Sequence, residues 1–393
     1  MYVSGKTAGV IFFILFLKIF MHYTIPTLPL KENIETKAVL KQTIVANRKL
    51  AELKGVVKIV PNPSILIRTL SLQEAKDSSA IESIITTHDE LYKAEIGAAS
   101  LSSPAAKEVS TYADALMRVV ETVNRRGIIS ANDIIDIYRS IKHNDAGYTT
   151  SPGKALINER TKETVYIPPQ TIDEIKEHMA NLELFINDDT LSDLDPLVKM
   201  AIIHHQFESI HPFGDGNGRA GRVLNILYLV AKNLLDLPIL YLSRYIIQNK
   251  KEYYELLQAV RDNGDWEKWI LFMLKGVETT ATESIRFVEG ISAMMLRYKH
   301  YIRENLPRIY SQDLINNLFR HPYTKIEFVV NELGVSRPTA NSYLNQLIKA
   351  GFLSKIKLGK ENFYMNNELF EFITNAFHSK ADIEADEINS NID

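Results

Sequence analysis

Residues 211–222 read H-P-F-G-D-G-N-G-R-A-G-R. They hold an imidazole that could take a proton (His211), a carboxylate that could bind a metal (Asp215), four glycines and two guanidiniums (Arg219, Arg222). Together these are the parts that phosphate chemistry needs. Gly214, Gly216 and Gly218 alternate with Asp215 and Asn217. Glycine and asparagine tolerate positive φ, so successive N–H groups can turn inward as an anion-binding nest. Arg219 and Arg222 fall on one face of a first helical turn, whose positive end points to the same place. Two forked guanidiniums there suit a polyphosphate. A carboxylate repels bare phosphate, so Asp215 calls for a bridging Mg²⁺. His211 could deprotonate an attacking hydroxyl. Any one of these residues would also suit an ordinary loop between core helices; their combination at this spacing is what points to phosphate.

The elements that position this run are helices. Asp195-Pro196 predicts a helix start, with a side-chain acceptor at the N-cap and proline at the first helical position. Leu197, Met200, Ala201, His204, Phe207 and Ile210 then recur at helical spacing, as do Val223, Ile226, Leu227, Val230 and Leu234 beyond the run. The second helix is expected to begin at about Gly218–Arg219. A helix–loop–helix with no strand ahead of it is not a P-loop, which also requires a G-x-x-x-x-G-K-[ST] pattern.

The run resembles the Fic family signature, H-x-F-x-[DE]-G-N-G-R-x-x-R, at every invariant position, and the resemblance extends over roughly residues 21–375. It implies a mainly α fold: a Fic helical core with a short β-hairpin flap, followed by a winged helix. It also implies transfer of AMP from ATP, with Mg²⁺, to a Tyr, Ser or Thr hydroxyl of a target protein or of the chain itself. By that resemblance His211 is the base, Asp215 holds the Mg²⁺, and Phe213 is a buried pin that orients the loop. The implied ATP-binding set is Gly216, Asn217, Gly218, Arg219, Ala220, Gly221 and Arg222. Within it the 216–218 backbone, Asn217 and Arg219 cradle phosphates, and Arg222 faces the γ-phosphate.

Three further segments take meaning from the same resemblance. Ser71-x-x-Glu74 has the pattern of a capping box and predicts a helix over 71–85, on which Ser78 and Glu82 share a face. D-S-S-A-I-E-S resembles the family's inhibitory motif [ST]-x-x-x-E-[GN], whose glutamate pairs with the second arginine of the signature, here Arg222. Ser83 departs from it, standing where the family prefers Gly or Asn. Between Pro152 and Gln170, the β-prone Val165-Tyr166-Ile167 stops at Pro168-Pro169 and predicts a hairpin. It resembles the flap that grips a target as an added strand. In K-E-Y-Y, residues 251–254, Tyr254 resembles the aromatic that lines the adenine pocket, with Tyr253 as the alternative.

Composition sets the wider limits. With 393 residues, 46% hydrophobic and 24% charged, the chain has the make-up of a multidomain globular protein. Its net charge of −3 provides no overall attraction to nucleic acid. It contains no cysteine, which excludes disulfides, a thiol nucleophile and Cys-based zinc sites, and fits a reducing cytoplasm. Residues 1–20 form an apolar leader too short for a membrane span, read as an over-extended start, so no stable membrane association is expected. The reading divides the rest into an N-terminal helical region (21–110), a Fic core (111–290), a linker helix (291–306), a winged helix (307–379) and a disordered acidic tail (380–393). Within the winged helix, Ser336 caps a recognition helix that turns Arg337, Thr339, Asn341, Ser342 and Asn345 outward, and Lys355, Lys357 and Lys360 gather on the wing. Eight Lys/Arg face six acids between residues 307 and 379, a thin surplus for a DNA surface. A homodimer is common in the family the chain resembles. Two other functions remain open: removal of AMP or transfer of another phosphate-linked group at the same site, and a nucleotide-sensing, DNA-binding regulator.

Overall fold

The computed structural model describes residues 23–95, 103–142, 144–151, 153–157, 162–358 and 361–377. The leader, the acidic tail, and Gly359 and Lys360 of the expected wing lie outside the described residues, wholly or for the most part. The order is α1 (Lys37–Val56), α2 (Pro63–Ile81), α3 (His88–Glu95), α4 (Pro104–Arg126) and α5 (Ala131–Lys142), then β1 (Leu156–Ile157) and β2 (Thr164–Tyr166). There follow α6 (Ile172–Asn187), α7 (Pro196–Ile210), α8 (Asn217–Ala231), α9 (Leu242–Gln248), α10 (Lys250–Asn263) and α11 (Trp266–Asn305). The C-terminal unit comprises α12 (Gln312–Arg320), β3 (Tyr323–Thr324), α13 (Ile326–Leu333), α14 (Arg337–Lys349), β4 (Ser354–Leu358), β5 (Glu361–Met365) and α15 (Asn367–Phe377). Its sheet is antiparallel in the order β3-β5-β4. No helix among the described residues is long and apolar enough to cross a membrane.

α7 lies at the centre, buried on every side from Leu197 to Ile210, and packs on α8, α6 and α11. A helix that is apolar nearly all round can be satisfied only in such a position. Its start follows local rules: the Asp195 side chain accepts from the Leu197 N–H at 2.8 Å, with Pro196 at the first helical position. α8 starts at Asn217 behind Gly216, one residue ahead of the expected start.

Three sequence expectations change. The helix expected over 71–85 runs over Pro63–Ile81, capped by Asn62 and opened by Pro63. Ser71 is therefore a buried mid-helix residue, and the Glu74 carboxylate accepts hydrogen bonds from Ser243 rather than closing a capping box. The true start was obscured because α2 is buried round most of its circumference from residue 69 onward, so a polar pair inside it mimics a terminus. Glu82 is the residue that ends the helix, and Ser83 follows with φ 65°. The boundaries expected at 110/111 and 290/291 fall inside the continuous helices α4 and α11. The expected linker is thus the last part of α11 and ends with Asn305. The C-terminal unit adds two elements to those expected, β3 and α15.

The left-handed conformation of Ser83 costs a side-chain-bearing residue about 1 kcal/mol that glycine avoids. Ser83→Gly is therefore expected to stabilise the protein by about 0.5–1 kcal/mol in urea unfolding; an unchanged midpoint would show the turn to be relaxed.

Candidate active site

The 211–222 loop is a joint between two helix ends. His211 terminates α7 in the left-handed region (φ 50°), its N–H bonded to Phe207 O at 2.9 Å. Gly216, at φ 75°, opens α8. Among the loop's glycines it alone has positive φ, so the anion site is the terminus of α8 rather than an extended nest. Phe213 is fully buried and stacks on Tyr138, with centroids 4.0 Å apart and planes within 2°. Such a pair contributes about 0.5–1.5 kcal/mol beyond its buried area. Asn217 is also buried: its Oδ1 accepts from Phe213 N at 2.8 Å and its Nδ2 donates to Phe213 O at 2.9 Å. Its side chain is committed to bracing the loop, which leaves only its backbone to meet a phosphate. Ala220 is likewise buried, and Gly221 lies inside the α7–α8 contact. Ala220 N bonds Gly216 O at 3.1 Å, and a Cβ on Gly221 would stand 2.8 Å from Glu208 Oε1.

Three cations that the sequence reading missed hold this loop from outside the run. Lys154 Nζ donates to the carbonyls of His211 (2.9 Å) and Phe213. Burial brings the Lys154 pKa down to about 8. Lys142 Nζ reaches Asp215 Oδ2 at 2.6 Å and holds that carboxyl below the usual carboxylate range. Arg261 donates to Ser209 Oγ and Glu208 O, just ahead of His211. Each lies far away in sequence with no motif to mark it, although Lys154 does fall within the expected flap segment.

Glu82 sits at the α8 terminus. Its Oε1 accepts from Arg219 N at 3.0 Å and from Arg222 Nη2 at 3.0 Å; its Oε2 accepts from Arg219 Nε at 2.7 Å. The carboxylate thus spans both guanidiniums, where the resemblance implied only Arg222. Arg222 is buried; its Nε donates to Ser78 Oγ and its Nη2 to Ser78 O, each at 2.8 Å. Arg219 also pairs with Glu108, and Tyr112 Oη bonds Ser78 Oγ at 3.1 Å. Gly218 is required here, because a Cβ would stand 2.8 Å from Glu82 Oε1 and from Arg222 Nη1. Lys250 Nζ donates to Ile81 O at 2.6 Å, capping the end of α2. Tyr254, four residues on and 48% exposed, shares that face of α10, whereas Tyr253 is buried and its hydroxyl meets His204 Nε2 at 2.8 Å.

The hairpin pairs Leu156 with Tyr166 and Ile157 with Thr164. Alternation divides the expected flap trio. Val165 and Ile167 are exposed, while Tyr166 turns inward, its hydroxyl donating to Ser209 O at 2.8 Å beneath the Arg261 guanidinium. Tyr166 is an anchor and not a target contact.

No group of three metal-binding side chains occurs among the described residues. Mg²⁺ does not need one, since it commonly takes one or two carboxylates and completes its octahedron with phosphate and water. Asp215, with its side chain 70% exposed just ahead of the α8 N-terminus, fits an ion that would arrive with a nucleotide. Burial first, then the Lys154 and Arg261 charges, bring the His211 pKa down to about 3. His211 is therefore neutral, able to accept a proton, across the physiological range. NMR of ¹⁵N-histidine-labelled protein should show this imidazole still neutral at about pH 5.5; titration near the ordinary value of about 6.5 would contradict that environment.

Residues 40–121 match the Fic/DOC family N-terminal model, 128–229 the Fic/DOC family model, and 294–369 the C-terminal domain of the protein adenylyltransferase SoFic-like model. Curated relatives include protein adenylyltransferase fic-1 of Caenorhabditis briggsae, 28% identical over 155 residues, which are 39% of this chain and 28% of that protein. Protein adenylyltransferase Fic of Culex quinquefasciatus is 29% identical over 172 residues, 42% of this chain and 32% of the relative. The match thus spans about a third or less of these relatives' length. A Fic family protein from Desulfovibrio desulfuricans G20 shares the fold, with a TM-score of 0.55 at 20% identity over 84% of this chain and 96% of that one. With both Fic/DOC models in chain order and the signature loop set between two buried helices, the chain carries Fic/DOC family domains within residues 40–229, followed by a SoFic-like C-terminal domain.

Proposed function

We propose that this protein transfers AMP from ATP to a hydroxyl side chain of a target protein, and to itself, and that Glu82 restrains the reaction. The observation that carries this reading is the gathering of His211, Asp215, Arg219 and Arg222 around the N-terminus of one helix. The names of the curated relatives support it. In the reaction, the target oxygen bonds to the α-phosphorus, its proton passes to the neutral His211 imidazole, and the bond to pyrophosphate breaks. Positioning and charge neutralisation supply most of the acceleration. The backbone N–H groups at 216–218, with Arg219, receive phosphates, and Arg222 meets the far end of the chain. Asp215 would hold Mg²⁺, which offsets phosphate charge when bound. Tyr254, exposed beside the capped end of α2, is the ring assigned to adenine in this reading. Val165 and Ile167 offer the outer face of a two-stranded hairpin to an extended target segment.

Glu82 restrains this arrangement because its carboxylate occupies an N–H and both guanidiniums that a triphosphate would use. Like charges cannot share the place, so ATP must either bind displaced or expel Glu82. Intact His211 favours catalysis over nucleotide sensing, since a sensor has no need of a base. Purified protein with α-labelled ATP and Mg²⁺ tests the reading. Glu82→Gly should raise label transfer by about tenfold or more, and adding His211→Ala should lower it again by about 10²–10⁴-fold. Equal labelling with and without Glu82, at unchanged ATP affinity, would remove the restraint from the account. Absence of label with ATP bound would favour AMP removal or another phosphate-linked transfer.

A second reading, with the C-terminal unit as a winged helix that binds DNA, rests on one surface. α14 and β4 contain no Asp or Glu, and they expose Arg337, Asn341, Ser342, Asn345, Lys349, Lys355 and Lys357. Such a face suits a duplex backbone. A labelled duplex should bind at about 50 mM salt and weaken steeply by about 200 mM, and Arg337→Ala/Lys355→Ala/Lys357→Ala should weaken it by about tenfold or more. No binding at low salt would leave the unit to protein partners.

A further inference from the structure

Glu82 lies between two helices, and both are held from the far side by the C-terminal unit. α12 packs on α2. His321, at the end of α12, is close enough to Arg68 of α2 for that charge, after burial, to help depress its pKa. Arg68 in turn ties α2 to α3 and α4, through ion pairs with Glu95 and Asp114. On α3, Asp89 accepts a hydrogen bond from the Tyr323 hydroxyl at 2.7 Å. The Tyr92 ring meets Phe370 of α15 edge-on at 6.4 Å, and Phe370 also meets Tyr323 at 6.1 Å. The residues that present the Glu82 carboxylate to Arg219 and Arg222 are thus the tip of a helical hairpin, and the body of that hairpin rests on the C-terminal unit.

The unit itself is joined firmly to the catalytic helices. α11 runs unbroken for 40 residues from Trp266. On it, Phe372 packs directly over Gly290 and stacks on Phe287, and Tyr298 Oη bonds Asn366 Oδ1 at 2.9 Å. A body attached by one rigid helix, and pressed against the hairpin at three points, can hold the hairpin in place.

We propose that the C-terminal unit is a clamp on the Glu82 restraint, and that loosening Tyr323 and Phe370 from Asp89 and Tyr92 frees Glu82 from Arg219 and Arg222. The proposal rests on the transferase reading for its effect on activity, but not for its effect on Glu82. Tyr323→Phe/Phe370→Leu removes the hydroxyl and reshapes the aromatic contact while keeping the unit apolar; neither residue touches the nucleotide site. In full-length protein with Glu82 present, label transfer should rise about three- to tenfold, the scale of one or two lost contacts. In a Glu82→Gly background the same pair should change nothing, because the restraint is already gone. Amides of residues 79–87 should also exchange with deuterium faster by a similar factor, with α7 unchanged.

Unchanged labelling together with unchanged exchange would overturn the clamp, as would an equal rise in both backgrounds. If Glu82→Gly itself carries no label, the transferase reading fails and exchange alone decides the clamp. Faster exchange at 79–87 then supports it, and unchanged exchange overturns it. If the double variant melts at room temperature, Tyr323→Phe alone, which removes a single hydroxyl, provides the same comparison.

Discussion

A buried guanidinium must have its charge met from within the fold, and Arg222 is the group on which this site turns. Burial works against its charge, and the Glu82 carboxylate, joined by Tyr253, Tyr112 and Glu208, outweighs that penalty, so its pKa stands above the ordinary arginine value. Ser78 accepts from two further donors, Nε and Nη2, through its hydroxyl and carbonyl. An anion is therefore needed at this place, and the N-terminus of α8 beside it makes the same demand. Glu82 meets that electrostatic requirement here, and a phosphate chain would be an alternative answer to it, so the proposed restraint and the proposed substrate binding fall on the same atoms.

The rest of the active region follows from holding that place rigid. α7 and α8 are buried nearly all round, so the loop between them has little freedom at either end. Asn217 and Phe213 close it from inside, one by paired hydrogen bonds and the other by stacking on Tyr138. Lys154 and Arg261 brace it from outside, and both add to the burial that chiefly keeps His211 uncharged. The same two cations thus support the loop and reinforce the effect of burial on His211. Thr149 N bonds Pro212 O at 2.8 Å, which carries the chain from the loop to the hairpin. Tyr166 pins that hairpin at Ser209, two residues before His211.

The C-terminal unit is integral to this arrangement and not an appendage. Its contacts include α2 and α3, which flank Glu82, and α11, which carries the unit itself. The polar face of α14 lies on a different side of the unit's helices from the buried Ala340, Leu344 and Leu347, so one unit can press on the hairpin and still present a surface outward.

The 211–222 run, the caps at Asp195-Pro196 and Ser336, and the helices around them were legible in the residues. Those features are set by neighbours within about four positions, where side-chain chemistry and backbone geometry act directly. The same locality misled at Ser71 and Glu74, whose spacing imitates a cap inside a helix that is buried on most sides. It also misjudged Asn217, which looks like a phosphate ligand until its two bonds to Phe213 are seen. Glu82 meets Arg219 across 137 positions, and Lys154 meets Phe213 across 59. Which distant groups share a low-dielectric pocket depends on how whole helices pack, and spacing along the chain carries no record of that. The chemistry on offer could be read from residue types, but the distant partners of those residues came only with the packing.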